Sequence, residues 1–232
     1  MKLILPLFFF FFSNFCSAGV MPSQSRVVYL ENDKNNSLML ANTNNYPVIV
    51  QLWVDNGEGD PDVKNIPFVT VPPILKLDKQ DVKGLKVIYN KRELRKDRET
   101  MYWLNIYEVP SDTRNDDSDS VLITMNTQIK VIFRPDSIKV SPVQAINNVI
   151  CFYDKKNIVC KNQSPVYLSI VKIEDADGKK SSDKFTDMNI IANPFSEMVF
   201  SLKKNQSVPT LVSIDYMNDG GEILNHKVTV SK

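Results

Sequence analysis

A lysine stands where a hydrophobic strand should not want one. In VLITMNTQIKVIFRP, Val121 to Pro135, the odd positions Val121, Ile123, Met125, Ile129, Val131 and Phe133 are apolar and only Thr127 interrupts them. This is the period-two pattern of a long β-strand, and Lys130 lies in its most apolar part. An unpaired ammonium is costly to bury, so this lysine either reaches water at an edge or is placed to meet an anion. Other reactive groups are few: three cysteines and one histidine in the whole chain. Cys151 and Cys160 lie in CFYDKKNIVC. If DKKN is a four-residue hairpin loop, Tyr153 faces Ile158, Phe152 faces Val159 and Cys151 faces Cys160. Directly opposed Cα atoms are about 4.5 to 5.5 Å apart, within disulfide reach, so the pair should be oxidised in an oxidising compartment. Two cysteines without a nearby histidine do not complete a tetrahedral metal site, and the spacing is not that of a Cys-x-x-Cys redox pair. His226 has no nucleophile motif around it, and no glycine-rich phosphate loop is present. The chain reads as a binding protein without catalytic centre, metal or cofactor.

The elements that must position these residues follow from composition. MKLILPLFFFFFSNFCSAGV has one basic residue, Lys2, then an apolar run from Leu3 to Phe12 too short to span a bilayer, then Cys16-Ser17-Ala18. It reads as a signal peptide, residues 1–18, cleaved after Ala18. Phe15 is bulky where a lipoprotein signal ending at Cys16 would want a small residue. No later run is long enough for an integral membrane segment, so an exported, soluble protein is expected. Removing Lys2 from the 28 basic residues leaves them equal to the 27 acidic ones. No global field therefore points to nucleic acid or anionic lipid, and KRELRKDRE (Lys91 to Glu99), with its interleaved signs, reads as a solvated loop.

Strand-like runs bounded by Asn, Asp and Pro recur along the chain. They include RVVYL, SLMLAN, VIVQLWVD, FVTV and ILKL around Pro72-Pro73, LKVIYN and MYWLNIYEV, then NVICFY, IVCK, VYLSIVKIE, EMVFSL, TLVSIDYM and EILNHKVTV. There is no convincing helical pattern and no evident internal sequence repeat. The expectation is an all-β protein of two β-sandwiches, residues 19–138 and 139–232, hinged at RPDSIKVSP, Arg134 to Pro142.

In their order and spacing, SRVVYL, VPPILKL, DRETMYWLNIYEVP, TQIKVIFRP and YMNDGG make the chain similar to the periplasmic pilus-assembly chaperones of the chaperone/usher pathway, the PapD-like family. The resemblance covers essentially everything after the signal peptide. It implies two immunoglobulin-like domains joined at an angle, located in the periplasm, with pilus subunits and an outer-membrane usher as partners. It also implies a role for each candidate residue. Arg26 and Lys130 would hold a subunit's C-terminal carboxylate. Val121, Ile123 and Met125 would form the strand lent to a subunit whose own last strand is missing, and that exposed strand gives a possible route to self-association. Glu99, Arg134 and Asp219 would be the ion pairs that set the interdomain angle. SDTRNDDSDS would be the loop before the donor strand, as in the family's short-loop branch. Lys130 has the opposite parity to Val121, Ile123 and Met125, so either a bulge near Thr127 or a lysine on the other face is required. The competing reading is an exported immunoglobulin-like adhesin or binding module.

Overall fold

The computed structural model describes residues 19–110, 124–176, 184–186 (backbone only), 190–202 and 207–231. Its first half holds β1 (Val20–Pro22), β2 (Arg26–Leu30), β3 (Asn36–Asn42), β4 (Val48–Asp55), β5 (Phe68–Val71), β6 (Ile74–Leu77), β7 (Val82–Tyr89), β8 (Thr100–Pro110) and β9 (Met125–Arg134). The second half holds β10 (Ile150–Asp154), β11 (Asn157–Asn162), β12 (Leu168–Asp175), β13 (Lys184–Thr186), β14 (Ile190–Ala192), β15 (Ser196–Ser201), β16 (Leu211–Met217) and β17 (Ile223–Ser231). The one α-helix among the described residues, α1 (Pro142–Ala145), runs into a 3-10 turn, Ile146–Asn148. The sequence reading missed α1 because four residues are too few to show a helical period. Pro142 opens it, and the N–H of Ser141 donates to Gln144 Oε1 at 3.0 Å.

Two immunoglobulin-like sandwiches result. In the first, the sheet β1-β3-β7-β5 packs on the sheet β2-β9-β8-β4-β6. Alternation drives the packing: in β4, Val48, Val50, Leu52 and Val54 are buried while Ile49 and Gln51 face out. The core centres on Tyr29, Phe68, Tyr89, Tyr102 and Phe133, whose ring centroids lie 4.9–6.4 Å apart, mostly edge-on or tilted. Such pairs contribute about 0.5–1.5 kcal/mol each beyond burial. In the second, the sheet runs β13-β12-β16-β17-β10-β11-β15 without a break, with β14 also on β12. Strand β17 joins the two layers, antiparallel to β16 and then parallel to β10 at Val230 and Ser231. Ile138 and Val140 of the connection pack with this second core.

The two sandwiches share a polar lock that the sequence did not disclose as a repeat. Asn42 Nδ2 donates to the carbonyls of Tyr46 and Asp78, both at 2.9 Å, and Asn42 Oδ1 accepts the N–H of Asn44 at 3.0 Å. In the second sandwich, Asn162 Nδ2 donates to the carbonyls of Val166 and Asn193, both at 2.9 Å, and Asn162 Oδ1 accepts the N–H of Ser164 at 3.0 Å. Each asparagine ends a strand and ties the next strand's entry to a distant loop. The only trace in the sequence is Asn-x-Asn/Ser shortly before Pro-Val, too short to register as a repeat.

The cysteine hairpin has the expected register, with Cys151 opposite Cys160, Phe152 opposite Val159 and Tyr153 opposite Ile158. Its loop is tighter than expected: Asp154 pairs with Asn157, so only Lys155 and Lys156 turn, with φ of 43° and 73°. Two positive φ values suit the right-handed twist of the flanking strands. The disulfide is formed, with Cα atoms 4.1 Å apart. Because it closes a short loop, replacing both Cys151 and Cys160 by Ala should lower stability by roughly 2–3 kcal/mol and leave the fold intact. Urea unfolding, with a peptide map of the wild-type protein, would check both the loss and the pairing.

Candidate functional site

Strand β9 pairs with β8 without a register shift from Thr100 opposite Phe133 to Glu108 opposite Met125. There is accordingly no bulge near Thr127, and the parity question is resolved by the strand's two faces. Ile129, Val131 and Phe133 fill the first core, whereas Lys130 and Arg134 point to the other face and reach residues of the second sandwich. Ile132, on that same face, is only 3% exposed.

Arg26 of β2 lies beside Lys130 of β9 in a parallel pair. Both reach β12: Lys130 Nζ donates to Ser169 Oγ at 2.9 Å, and an Arg26 guanidinium nitrogen donates to the same oxygen at 3.4 Å. Arg26 also touches the Met217 sulfur of β16. These groups line a cavity of about 250 Å³ between the sandwiches, with Ser25, Trp103, Gln128, Ile170, Val171 and Ile191. The Trp103 ring centroid lies 5.9 Å from Lys130 Nζ, a weak cation–π contact.

The electrostatics are unusual for two neighbouring cations. Arg26 is 5% exposed, and its Nε has no hydrogen-bond partner among the described residues. Burial pulls its pKa down, against the distant pull of Asp219 and Glu99. Burial, and then the charge of Arg26, bring Lys130 down to about 8. Neither side chain makes an ion pair among the described residues. Chemically the cleft offers guanidinium, ammonium and hydroxyl donors converging on a space that lacks a negative charge.

Arg134 has the opposite surroundings. Its Nε donates to Glu99 Oε1 at 2.6 Å, and its two terminal nitrogens donate to Asp219 at 2.7 and 2.9 Å. The second Glu99 oxygen accepts the N–H of Tyr167 at 2.7 Å, and the Glu99 N–H donates to the Pro165 carbonyl at 2.9 Å. Burial opposes the Arg134 charge, but the two carboxylates outweigh it and hold the guanidinium above its ordinary value. Burial pushes the Glu99 carboxyl upward even beside Arg134.

Of the residues implied for the donor strand, Met125 stands at the start of β9 and is 47% exposed. Val121, Ile123 and the SDTRNDDSDS run lie outside the described residues. In the KRELRKDRE run, Asp97 forms exposed ion pairs with Arg95 and Arg98. His226 sits on β17 opposite Ile214. Sequence reasoning overlooked Ser169, Trp103 and Met217. Ser169 had a usable signal, a lone serine inside the apolar run VYLSIVKI, comparable to Lys130 in its own strand.

Two immunoglobulin-like sandwiches with a basic cleft between them have the architecture of a two-domain binding protein. Residues 19–139 match the family described as "Pili and flagellar-assembly chaperone, PapD N-terminal domain", and residues 144–228 match "Pili assembly chaperone PapD, C-terminal domain". The chain belongs to this family of pilus-assembly chaperones. It is 31% identical over 202 residues to the probable fimbrial chaperone YadV of Escherichia coli K12, covering 82% of this chain and 80% of that one. It is 27% identical over 237 residues to the chaperone protein MrkB of Klebsiella pneumoniae, covering 99% and 100% of the two chains. The crystal structure of the CupB2 chaperone of Pseudomonas aeruginosa superposes with a TM-score of 0.77 at 25% identity, over 91% of this chain and 100% of that one. The SafB chaperone of Salmonella enterica, solved in complex with the SafA pilin, shares the fold with a TM-score of 0.77 at 22% identity, over 90% and 94%.

Two outcomes test these electrostatics. Glu99→Ala would leave Arg134 half-paired and the Tyr167 N–H unsatisfied, and should cost roughly 3–5 kcal/mol in urea unfolding. For Lys130, a folded-state pKa below the unfolded value means that the charged form costs stability. That cost is full below about pH 8 and fades as the pH rises toward the unfolded value. Lys130→Met should thus be at least as stable as wild type at pH 7, and wild type should gain on it between pH 8 and about 10.

Proposed function

We propose that this protein is a periplasmic chaperone that captures pilus subunits, completes them by lending its own strand and passes them to an outer-membrane usher. The observation that carries the reading is the pair Arg26 and Lys130, half or fully buried side by side with no carboxylate of their own. A chain-terminal carboxylate supplies the missing charge, and its two oxygens can accept from both cations while Ser169 is displaced or shared. Charge-assisted hydrogen bonds of this kind contribute about 1.5–3 kcal/mol each. From this anchor a subunit would run along β9 toward Met125, where Ile123 and Val121 would continue the row of apolar side chains entering the subunit's open groove. Glu99, Arg134 and Asp219 would fix the two sandwiches so that the anchor and the lent strand stay in register. The role is one of binding and needs no catalytic group or cofactor. The same exposed strand would allow self-association when no subunit is present.

The test is subunit capture from periplasm. Arg26→Ala and Lys130→Ala should each stay folded, lose roughly tenfold or more in subunit affinity and abolish piliation. Ile123→Glu should keep the wild-type melting temperature and lose capture, because a charge would be forced into the subunit's core. Normal pili with either cleft variant would remove the carboxylate anchor. A strongly destabilised Ile123→Glu would mean that this side chain serves the chaperone's own core.

A further inference from the structure

Glu108, near the end of β8, is a carboxylate only 5% exposed. Its Oε2 accepts the N–H of Val20 at 2.9 Å, and its Oε1 accepts from Asn44 Nδ2 at 2.7 Å. Among the described residues no cation pairs with it. A buried carboxylate held by two neutral donors is poorly compensated. Gly19, with φ of 82°, lies close against it: an added Cβ there would be 2.7 Å from Glu108 Oε2 and 3.6 Å from Met125 Sδ. Gly19 is itself held in place, because its carbonyl accepts from the Thr43 N–H at 3.0 Å and the Thr43 hydroxyl at 2.6 Å. The main chain at residue 19 is therefore fixed against a buried negative charge.

We infer that Glu108 is the receptor for the α-ammonium of Gly19 that leader removal creates. Hydrolysis of the Ala18–Gly19 amide by a leader-cleaving protease gives the water's hydroxyl to the Ala18 carboxyl and a hydrogen to the Gly19 nitrogen. The new amine is protonated at neutral pH. In the precursor the same nitrogen is a neutral amide, so the charge at Glu108 is balanced only after processing. The captured N-terminus pins β1 to β3 and sits beside Met125, which pairs with Glu108 across β8 and β9. Processing would in this way secure the root of the strand proposed to be lent to a subunit. The inference rests on cleavage after Ala18 and is independent of subunit binding.

The experiment uses the exported protein and three purified variants: Glu108→Gln, a form extended by two residues before Gly19, and the two changes combined. Intact mass of the exported protein should place its N-terminus at Gly19. The α-amino pKa of Gly19, read by NMR on protein labelled at glycine, should exceed the ordinary 7.7–8.0 by about one unit or more and return to that range in Glu108→Gln. Asn44, which donates to Glu108, and Met125, its cross-strand neighbour, do not titrate, and the return of the pKa in Glu108→Gln ties the shift to this pair. The extension should lower the melting temperature at pH 7 when Glu108 is present and cost much less with Glu108→Gln. Because pairing raises the folded-state pKa of the amine, the extension's cost should vanish as the pH rises through that value. An N-terminus at another residue, an ordinary α-amino pKa, or an equal cost of extension in both backgrounds would each overturn the assignment. If Glu108→Gln does not fold, the pKa in the wild-type protein decides alone.

Discussion

Arg134 holds the molecule's working parts in one frame. Its planar fork engages Glu99 on one edge and Asp219 on the other, while Glu99 spends its remaining oxygen on the backbone of Tyr167 in the second sandwich. An arginine can do this because its donors are coplanar and fixed relative to one another. A lysine in the same place would offer a point charge and no orientation. Arg134 is four residues from Lys130 on the same strand, and an even offset keeps the two side chains on one face. Fixing the arginine against the second sandwich thereby fixes the distance of Lys130 from Ser169 and, through the parallel pairing of β2 with β9, that of Arg26 as well.

One strand thus carries two cations with opposite treatment. Arg134 is buried and fully matched by carboxylates, which makes it structural. Lys130, beside the equally unmatched Arg26, is kept in a partly buried cleft where its proton is held less firmly. If the cleft takes a subunit carboxylate as proposed, the cost at the second site in the free state is relieved when that anion enters. On that proposal, stability and affinity are set against each other at Arg26 and Lys130, and aligned at Arg134.

What could be read from the sequence was whatever depends on local spacing. The long strands, the two-sandwich architecture and the facing cysteines follow from alternation and from counting across a turn, and the structure has them. The short pieces were invisible for the same reason: β1 has three residues and α1 has four, less than a period's worth of pattern. Face assignment was only half legible. Alternation shows that Ile129, Val131 and Phe133 share a side, but nothing in β9 says that its other side meets a second domain, which is why Lys130 looked misplaced. Ser169, Asn42, Asn162 and Glu108 act through partners far away in the chain, and single polar residues at strand ends leave no periodic trace. The family resemblance supplied roles for Arg26, Lys130 and Arg134 that alternation alone could not.

The hinge cluster is unevenly divided. Glu99 and Arg134 both belong to the first sandwich, and only Asp219, whose side chain is 33% exposed, comes from the turn after β16 near the end of the chain. If the chain is exported N-terminus first, as proposed, the first domain has emerged long before Asp219 does. The buried half of the cluster can then form early as a self-neutralising pair, and the late-arriving carboxylate needs little desolvation to join it. Built the other way round, with the arginine arriving last, the emerging chain would carry an uncompensated carboxylate until nearly all of it had been exported. The order of charges along the polypeptide is therefore suited to vectorial folding, with the socket assembled first and the clasp delivered at the end.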